Sequence, residues 1–153
     1  MPDIIVRTTT MEDAETISHF NQLMAMETEN KTLPEEVIGN GVRRLMQKPE
    51  YGFYLIAEID GKTVGTCMVT TEWSDWRDGL FWWVQSVYVK SDSRKQGVYT
   101  RMYEKIHSLA ASAPDICGFR LYVEKDNTIA QKTYEALGMQ ATDYLLYESL
   151  KAG

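Results

Sequence analysis

Apolar positions recur along this chain in two rhythms, one of period two and one near 3.6. Asp3 to Thr8, with Ile4, Ile5 and Val6, reads as a first strand. A helix starts at Thr10, with Asp13 in the place of a capping-box acid and Ala14, Ile17, Phe20 and Met24 along one face. Glu27 to Thr32 is polar and reads as a loop. A second helix begins near Pro34 and carries Val37, Val42, Leu45 and Met46 on one side. Gly39 and Gly41 predict a break or bend in it. Gly52 to Ile59 and Lys62 to Thr71 are strands joined by Asp60-Gly61, a two-residue hairpin signal. Glu72 to Gly79 reads as a polar and aromatic loop, and Leu80 to Val89 as the next strand. Val98, Met102, Ile106 and Leu109 mark the buried stripe of a helix ending near Ala113-Pro114. Ile116 to Glu124 is a strand, Asn127 to Leu137 a helix stopped by Gly138, and Ala141 to Leu150 the closing strand or strands. The order β-α-α-β-β-β-α-β-α-β gives a mixed α/β class. Its strand–helix–strand portion pairs in parallel through a right-handed crossover, the rest forms an antiparallel meander, and helices cover both faces.

Composition narrows the picture. The 153 residues suit one domain spanning the whole chain, 1–153. The net charge of -6 argues against a nucleic-acid binder, whose affinity comes from Lys and Arg on phosphates. It is compatible with a cationic acceptor, although acidity serves solubility in most proteins. Cys67 and Cys117 lack zinc-site or redox spacing and read as buried reduced thiols, so no metal is expected. No apolar segment reads as a signal peptide or membrane span, which makes the cytoplasm the expected compartment and a membrane partner unexpected.

The candidate chemistry lies at one junction. Arg94-Lys95-Gln96-Gly97-Val98-Tyr99 joins an apolar strand to a helix N-terminus. Unpaired first-turn N–H groups and the positive end of the helix dipole favour a phosphate there. Gly97 permits close approach to the backbone, and Arg94 and Lys95 add positive charge. A second segment runs from Asn127 to Met139. Asn127 can cap the helix, while Ala130 and Tyr134, four apart, share a face that leaves room for a ligand chain ending near the hydroxyl.

Together these segments resemble the GNAT superfamily of acyl-CoA-dependent N-acetyltransferases. Its first signature, a strand ending in Val followed by Gln/Arg-x-x-Gly-x-Gly/Ala, is matched from Val87 to Tyr99. Its second, Asn-x-x-Ala-x-x-x-Tyr-x-x-x-Gly-Phe, is matched by Asn127, Ala130, Tyr134 and Gly138. Tyr99 replaces the usual small residue and Met139 the usual Phe. The resemblance implies the GNAT fold, a mostly antiparallel twisted sheet with one splayed parallel pair. It also implies acetyl-CoA as acyl donor. Backbone groups of Val87, Tyr88 and Val89 would then hold the pantetheine arm. The segment Arg94, Lys95, Gln96, Gly97, Val98 and Tyr99 would hold the pyrophosphate. Asn127 would contact the arm, and Tyr134 would stand by the sulfur.

The implied reaction is direct transfer of acetyl to a primary amine of a small molecule or peptide. An alkylamine has a pKa of about 10.4, so it needs desolvation or a base before it can attack. Tyr134 is the candidate acid for the leaving thiolate. Gln85 stands where many relatives place a Glu, and Glu72 is the substitute base, with Asp75 behind it. Trp82 and Trp83 alternate across the strand, so only one can face a site. Trp73 and Trp76 form either an aromatic wall for a cationic amine or a core or interface contact. His19 and His107 read as surface residues, and Glu27 and Glu29 as solvated loop charge. Family habit suggests a homodimer. The alternative reading is an acyl-CoA-binding sensor or scaffold without turnover.

Overall fold

A computed structural model describes residues 2–152. The described chain divides into two compact units, one up to Tyr122 and one from Val123 onward.

The first unit is built on a sheet of five strands in chain order: β1 (Ile4–Thr8), β2 (Gly52–Ile59), β3 (Lys62–Ser74), β4 (Gly79–Val89) and β5 (Ile116–Arg120). All neighbours are antiparallel except β4 and β5, which run parallel. The β2–β3 and β3–β4 pairs are closed by hairpin turns, and the crossover helix α3 (Val98–Ala111) gives the parallel pair. Asp60 and Gly61 take φ of 52° and 74°, the left-handed pair that a two-residue hairpin requires.

Side-chain alternation sorts the sheet into two faces. On one, Leu55, Cys67, Val69, Trp82 and Val84 pack with Val98, Met102 and Ile106 of α3. On the other, Tyr54, Ile56 and Met68 meet α1 (Ala14–Glu29) and α2 (Glu35–Gln47) through Ala14, Ile17, Val42 and Leu45. A short 3-10 turn, Met11–Asp13, precedes α1. There the Thr10 N–H donates to Asp13 Oδ2 (2.9 Å), and Arg7 grips the same carboxylate with two bonds of 2.9 Å.

Several expectations need correction. The helix at Glu35–Gln47 runs unbroken through Gly39 and Gly41, because burial of Val42 and Leu45 outweighs the weak glycine propensity. Helix α1 continues to Glu29, so Glu27 is helical. Strands β3 and β4 extend through most of the expected 72–79 loop and leave a four-residue turn, 75–78. Cys67 is fully buried and burial pushes its thiol up to about 12, whereas Cys117 is exposed. The two lie on β3 and β5 with β4 between them, so they are not neighbours.

The second unit contains α4 (Thr128–Ala136). Asn127 Oδ1 accepts the Ala130 N–H (3.1 Å), and Gln131 Nε2 donates to the carbonyls of Glu124 (3.1 Å) and Lys125 (2.9 Å). The Met139 N–H returns to the Tyr134 carbonyl and the Gly138 N–H to that of Glu135, each at 3.0 Å, a Schellman end with Gly138 at φ 95°. The strand expected over Ala141–Leu150 is not formed. Tyr144, Leu145, Leu146, Tyr147 and Leu150 are exposed, and β5 is the last strand of the sheet. An apolar run has strand propensity, but a strand exists only where it pairs.

Candidate functional site

Strand β4 does something at its C-terminal half that β5 does not share. The parallel pairing covers Leu80 to Trp83 and ends at the rung Trp83↔Arg120. Strand β4 runs on to Val89, still paired with β3 as far as Gly65. Its other edge, from Val84 onward, has no β5 residue opposite it. Ser86 lies in this stretch with φ of 49°. Gln85 pairs with Met68 and Tyr88 with Thr66, so Ser86 and Val87 together oppose Cys67. This is a bulge, which bends the strand and re-aims the residues beyond it. Val87 and Val89 return to the α3 face, while Tyr88 turns to the α1 face and packs edge-on against Phe20 at 5.8 Å.

The strand delivers the chain to the cradle. A 3-10 turn, Ser91–Ser93, leads to Arg94 in extended conformation, then to Lys95 with φ 64°, Gln96, and Gly97 with φ 84° as the residue before α3. Two left-handed residues flanking Gln96 fold the backbone into a concave turn at the start of a 14-residue helix. A Cβ at Gly97 would meet no atom within 4 Å, so the concavity is open on that side. The Tyr99 ring stacks on Tyr103 (6.1 Å between centres, 22° between planes) and packs against the α3-side core. The large residue in place of the usual small one is thereby accommodated in the helix packing.

Arg94 behaves differently from a free phosphate ligand. Its Nε donates to the Val89 carbonyl (2.8 Å) and its Nη2 lies 2.6 Å from Glu27 Oε1. The guanidinium stands 5.4 Å from the Tyr88 ring centre. The charge expected in the cradle is therefore paired with a carboxylate of α1.

Beside the parting point, on the α1/α2 face, stands a polar and aromatic cluster. Glu72 Oε1 accepts from Trp83 Nε1 (3.0 Å) and from Arg120 Nη1 (2.7 Å). Arg120 lies 3.7 Å from the centre of the Phe81 ring, and Trp83 packs against Tyr122 at 6.2 Å. Gln85 Nε2 donates to Thr70 Oγ1 (2.6 Å). The bonds from Trp83 and Arg120 hold the Glu72 carboxyl below the usual carboxylate range, which makes it a weaker base than a carboxylate in water.

Glu72 and Gln85 share this face on neighbouring strands but do not touch: Glu72 stands opposite Phe81 and Gln85 opposite Met68, each with its own partners, and the other predicted acceptor residues lie elsewhere. Trp73 comes directly after Glu72 on β3 and so takes the opposite face, and it is exposed. Asp75 and Trp76 lie in the exposed 75–78 turn. Of the two adjacent tryptophans, Trp82 is core and Trp83 faces the cluster. Tyr134 and Asn127 lie in the second unit, on α4 and at its cap. The cap bond uses the Asn127 carbonyl oxygen and leaves its NH2 as a donor. Burial raises the Tyr134 phenol above its ordinary pKa. Sequence reasoning missed Glu27, Arg120 and Tyr122. Arg120 and Tyr122 carried a readable signal, since alternation along the β5 segment sets both on one face.

The sequence profile of the Acetyltransferase (GNAT) family matches residues 15–139. The chain belongs to this family. A possible acetyltransferase from Clostridium difficile 630 shares 40% identity with this GNAT chain, over 98% of it and 99% of the other, with a TM-score of 0.89. The aminoglycoside acetyltransferase AAC(6')-Iy, solved with a CoA bisubstrate analogue, superposes at TM-score 0.78 and 16% identity over 98% and 99% of the two chains. A soil-metagenome aminoglycoside acetyltransferase, meta-AAC0020 in complex with sisomicin, does so at 0.78 and 11% over 98% and 97%. At those identities the last two share the fold. No curated protein matches the sequence significantly.

Proposed function

We propose that this GNAT protein is an N-acetyltransferase, moving the acetyl group of acetyl-CoA to a primary amine of a small molecule or peptide. The observation that carries the reading is the bulged, unpaired edge of β4 running straight into the open Gly97 cradle. The profile match crosses both units, which supports a single acetyltransferase domain.

The residues fit the donor by their chemistry. An unpaired strand edge offers backbone N–H and C=O groups to an amide-containing arm, as a sheet edge does to an added strand. Main-chain groups of Val87 and the N–H of Val89 take that part, since the Val89 carbonyl already accepts from Arg94 and Tyr88, between them, turns its main-chain groups to the opposite edge. The first-turn N–H groups of α3, with Lys95, Gln96, Gly97, Val98 and Tyr99, take the diphosphate. Arg94 contributes its main chain, since its side chain is committed to Glu27. Asn127 offers its NH2 to the arm. Acetyl-CoA supplies a thioester, whose carbonyl carbon the amine attacks and whose sulfur leaves.

The remaining chemistry falls to side chains. At neutral pH only about one alkylamine in a thousand is unprotonated. Partial desolvation against Phe81, Trp83 and Tyr122 favours that neutral form. Glu72, ionised and anchored, is suited to hold a cationic part of the acceptor while a proton leaves through water. Gln85 adds a neutral polar contact. Tyr134, kept protonated by its raised pKa, can donate to the departing thiolate.

The test is a thiol-release screen with acetyl-CoA against free amines, aminoglycosides and short peptides. CoA release with a free amine is expected. Binding of CoA with no release for any amine would make the protein a non-catalytic sensor. Release with peptide N-termini alone would restrict the acceptor to peptides.

A further inference from the structure

Glu27 is in the last turn of α1, and the proposed chemistry does not use it. A carboxylate there faces the negative end of the helix dipole, and no basic residue of that turn offsets it. Its partners come from elsewhere. Oε1 takes Arg94 Nη2 at 2.6 Å, and Oε2 accepts the Tyr88 hydroxyl at 2.9 Å. Arg94 is itself fixed by its Nε bond to the Val89 carbonyl, at the mouth of the cradle. The Glu27 carboxyl is lowered, chiefly by the Tyr88 bond, and the Tyr88 hydroxyl is raised by desolvation and by Glu27. One carboxylate thus joins the end of α1, the end of β4 and the cradle.

The loop after α1 is also held. Asn30 ends the helix in left-handed conformation. Gln22 then clasps Leu33 on both sides, donating to its carbonyl and accepting its N–H, each at 2.8 Å. The 30–34 loop therefore moves with α1. Glu27 and Arg94 are both about two-fifths exposed, and a pair so screened by water adds little stability. Its consequence is geometric.

We propose that Glu27 is a positioning residue: through Arg94 and Tyr88 it ties the end of α1, and with it the loop to α2, to the diphosphate cradle, so that filling the cradle makes that loop more rigid as well. The inference rests on the acyl-donor reading.

Hydrogen exchange with CoA as the probe tests it on the wild type, Glu27→Ala and Glu27→Gln. In the wild type, CoA should slow exchange at residues 96–101 and, by about fivefold or more, at residues 28–34. In Glu27→Ala the first protection should persist and the second disappear, with CoA affinity changed by less than about threefold. Glu27→Gln, which keeps an acceptor for Tyr88 but loses the charge, should fall between. Equal protection of 28–34 in the wild type and Glu27→Ala overturns the proposal, as does no protection there in the wild type. No protection at 96–101 in the wild type sinks the donor reading itself, and the coupling falls with it.

Discussion

Trp83 stands opposite Arg120 on the last rung that joins β4 to β5, and beyond that rung β4 continues alone. The same two residues donate to one oxygen of Glu72, so the point where the strands part is also where the polar and aromatic cluster is pinned. Three residues beyond that rung, the bulge at Ser86 re-aims the lone part of the strand.

Gly97 should be the least replaceable residue of the cradle. Gly97→Ala meets no atom, so its cost to folding is the left-handed backbone, about 1–2 kcal/mol. The added methyl also projects into the open concavity proposed to take the diphosphate. Urea unfolding should show that loss, and calorimetry should show CoA affinity reduced by about tenfold or more, some 1.4 kcal/mol. Unchanged CoA affinity would place the diphosphate elsewhere.

Glu72→Gln separates charge from hydrogen bonding, since the amide oxygen still accepts from Trp83 and Arg120. The Glu72 carboxyl lies below the usual range, so it is ionised throughout the neutral region and adds no titration there. The variant should raise the KM of a cationic acceptor about tenfold while the rising limb of the pH–rate profile stays in place. Loss of that limb would make Glu72 the base.

Tyr134→Phe should lower kcat by about 10²-fold and leave CoA affinity nearly unchanged. The raised phenol pKa keeps the acid form through neutral and mildly alkaline pH, so the wild-type rate should not fall there from loss of this proton. A kcat unchanged across pH removes Tyr134 from the proton transfer.

Asp13 predicts a pH dependence of stability. Its carboxyl is lowered, first by the Arg7 bonds and then by the Thr10 N–H. A depressed folded-state pKa gives stability that is present above the unfolded value, near 3.9, and is lost as pH falls through the folded value. Asp13→Asn should cost about 1–3 kcal/mol at pH 7 by urea unfolding, and the gap to wild type should shrink at pH 3. An equal gap at both values would contradict the assignment.

Much of the fold was legible in the sequence, for reasons that differ by element. The β4–cradle–α3 run could be read because period-two burial, a glycine before the helix and a period-3.6 stripe succeed one another in the same short stretch. The unbroken α2 could not, since Gly39 and Gly41 report local propensity while Val42 and Leu45 report burial, and burial won. Glu27 was read as loop charge because its partners, Tyr88 and Arg94, are distant in sequence. The 141–150 run is apolar enough for a strand, yet pairing is a property of two segments and only one of them is in view when a sequence is read.

The β4 edge and the Gly97 cradle are proposed to bind an acyl-CoA, and every functional role above depends on that binding. Calorimetric titration of the whole protein with acetyl-CoA tests it most directly. One-to-one binding is expected, with Kd on the order of 1 μM to 1 mM, the range common for enzyme substrates. No measurable binding at millimolar acetyl-CoA would contradict it.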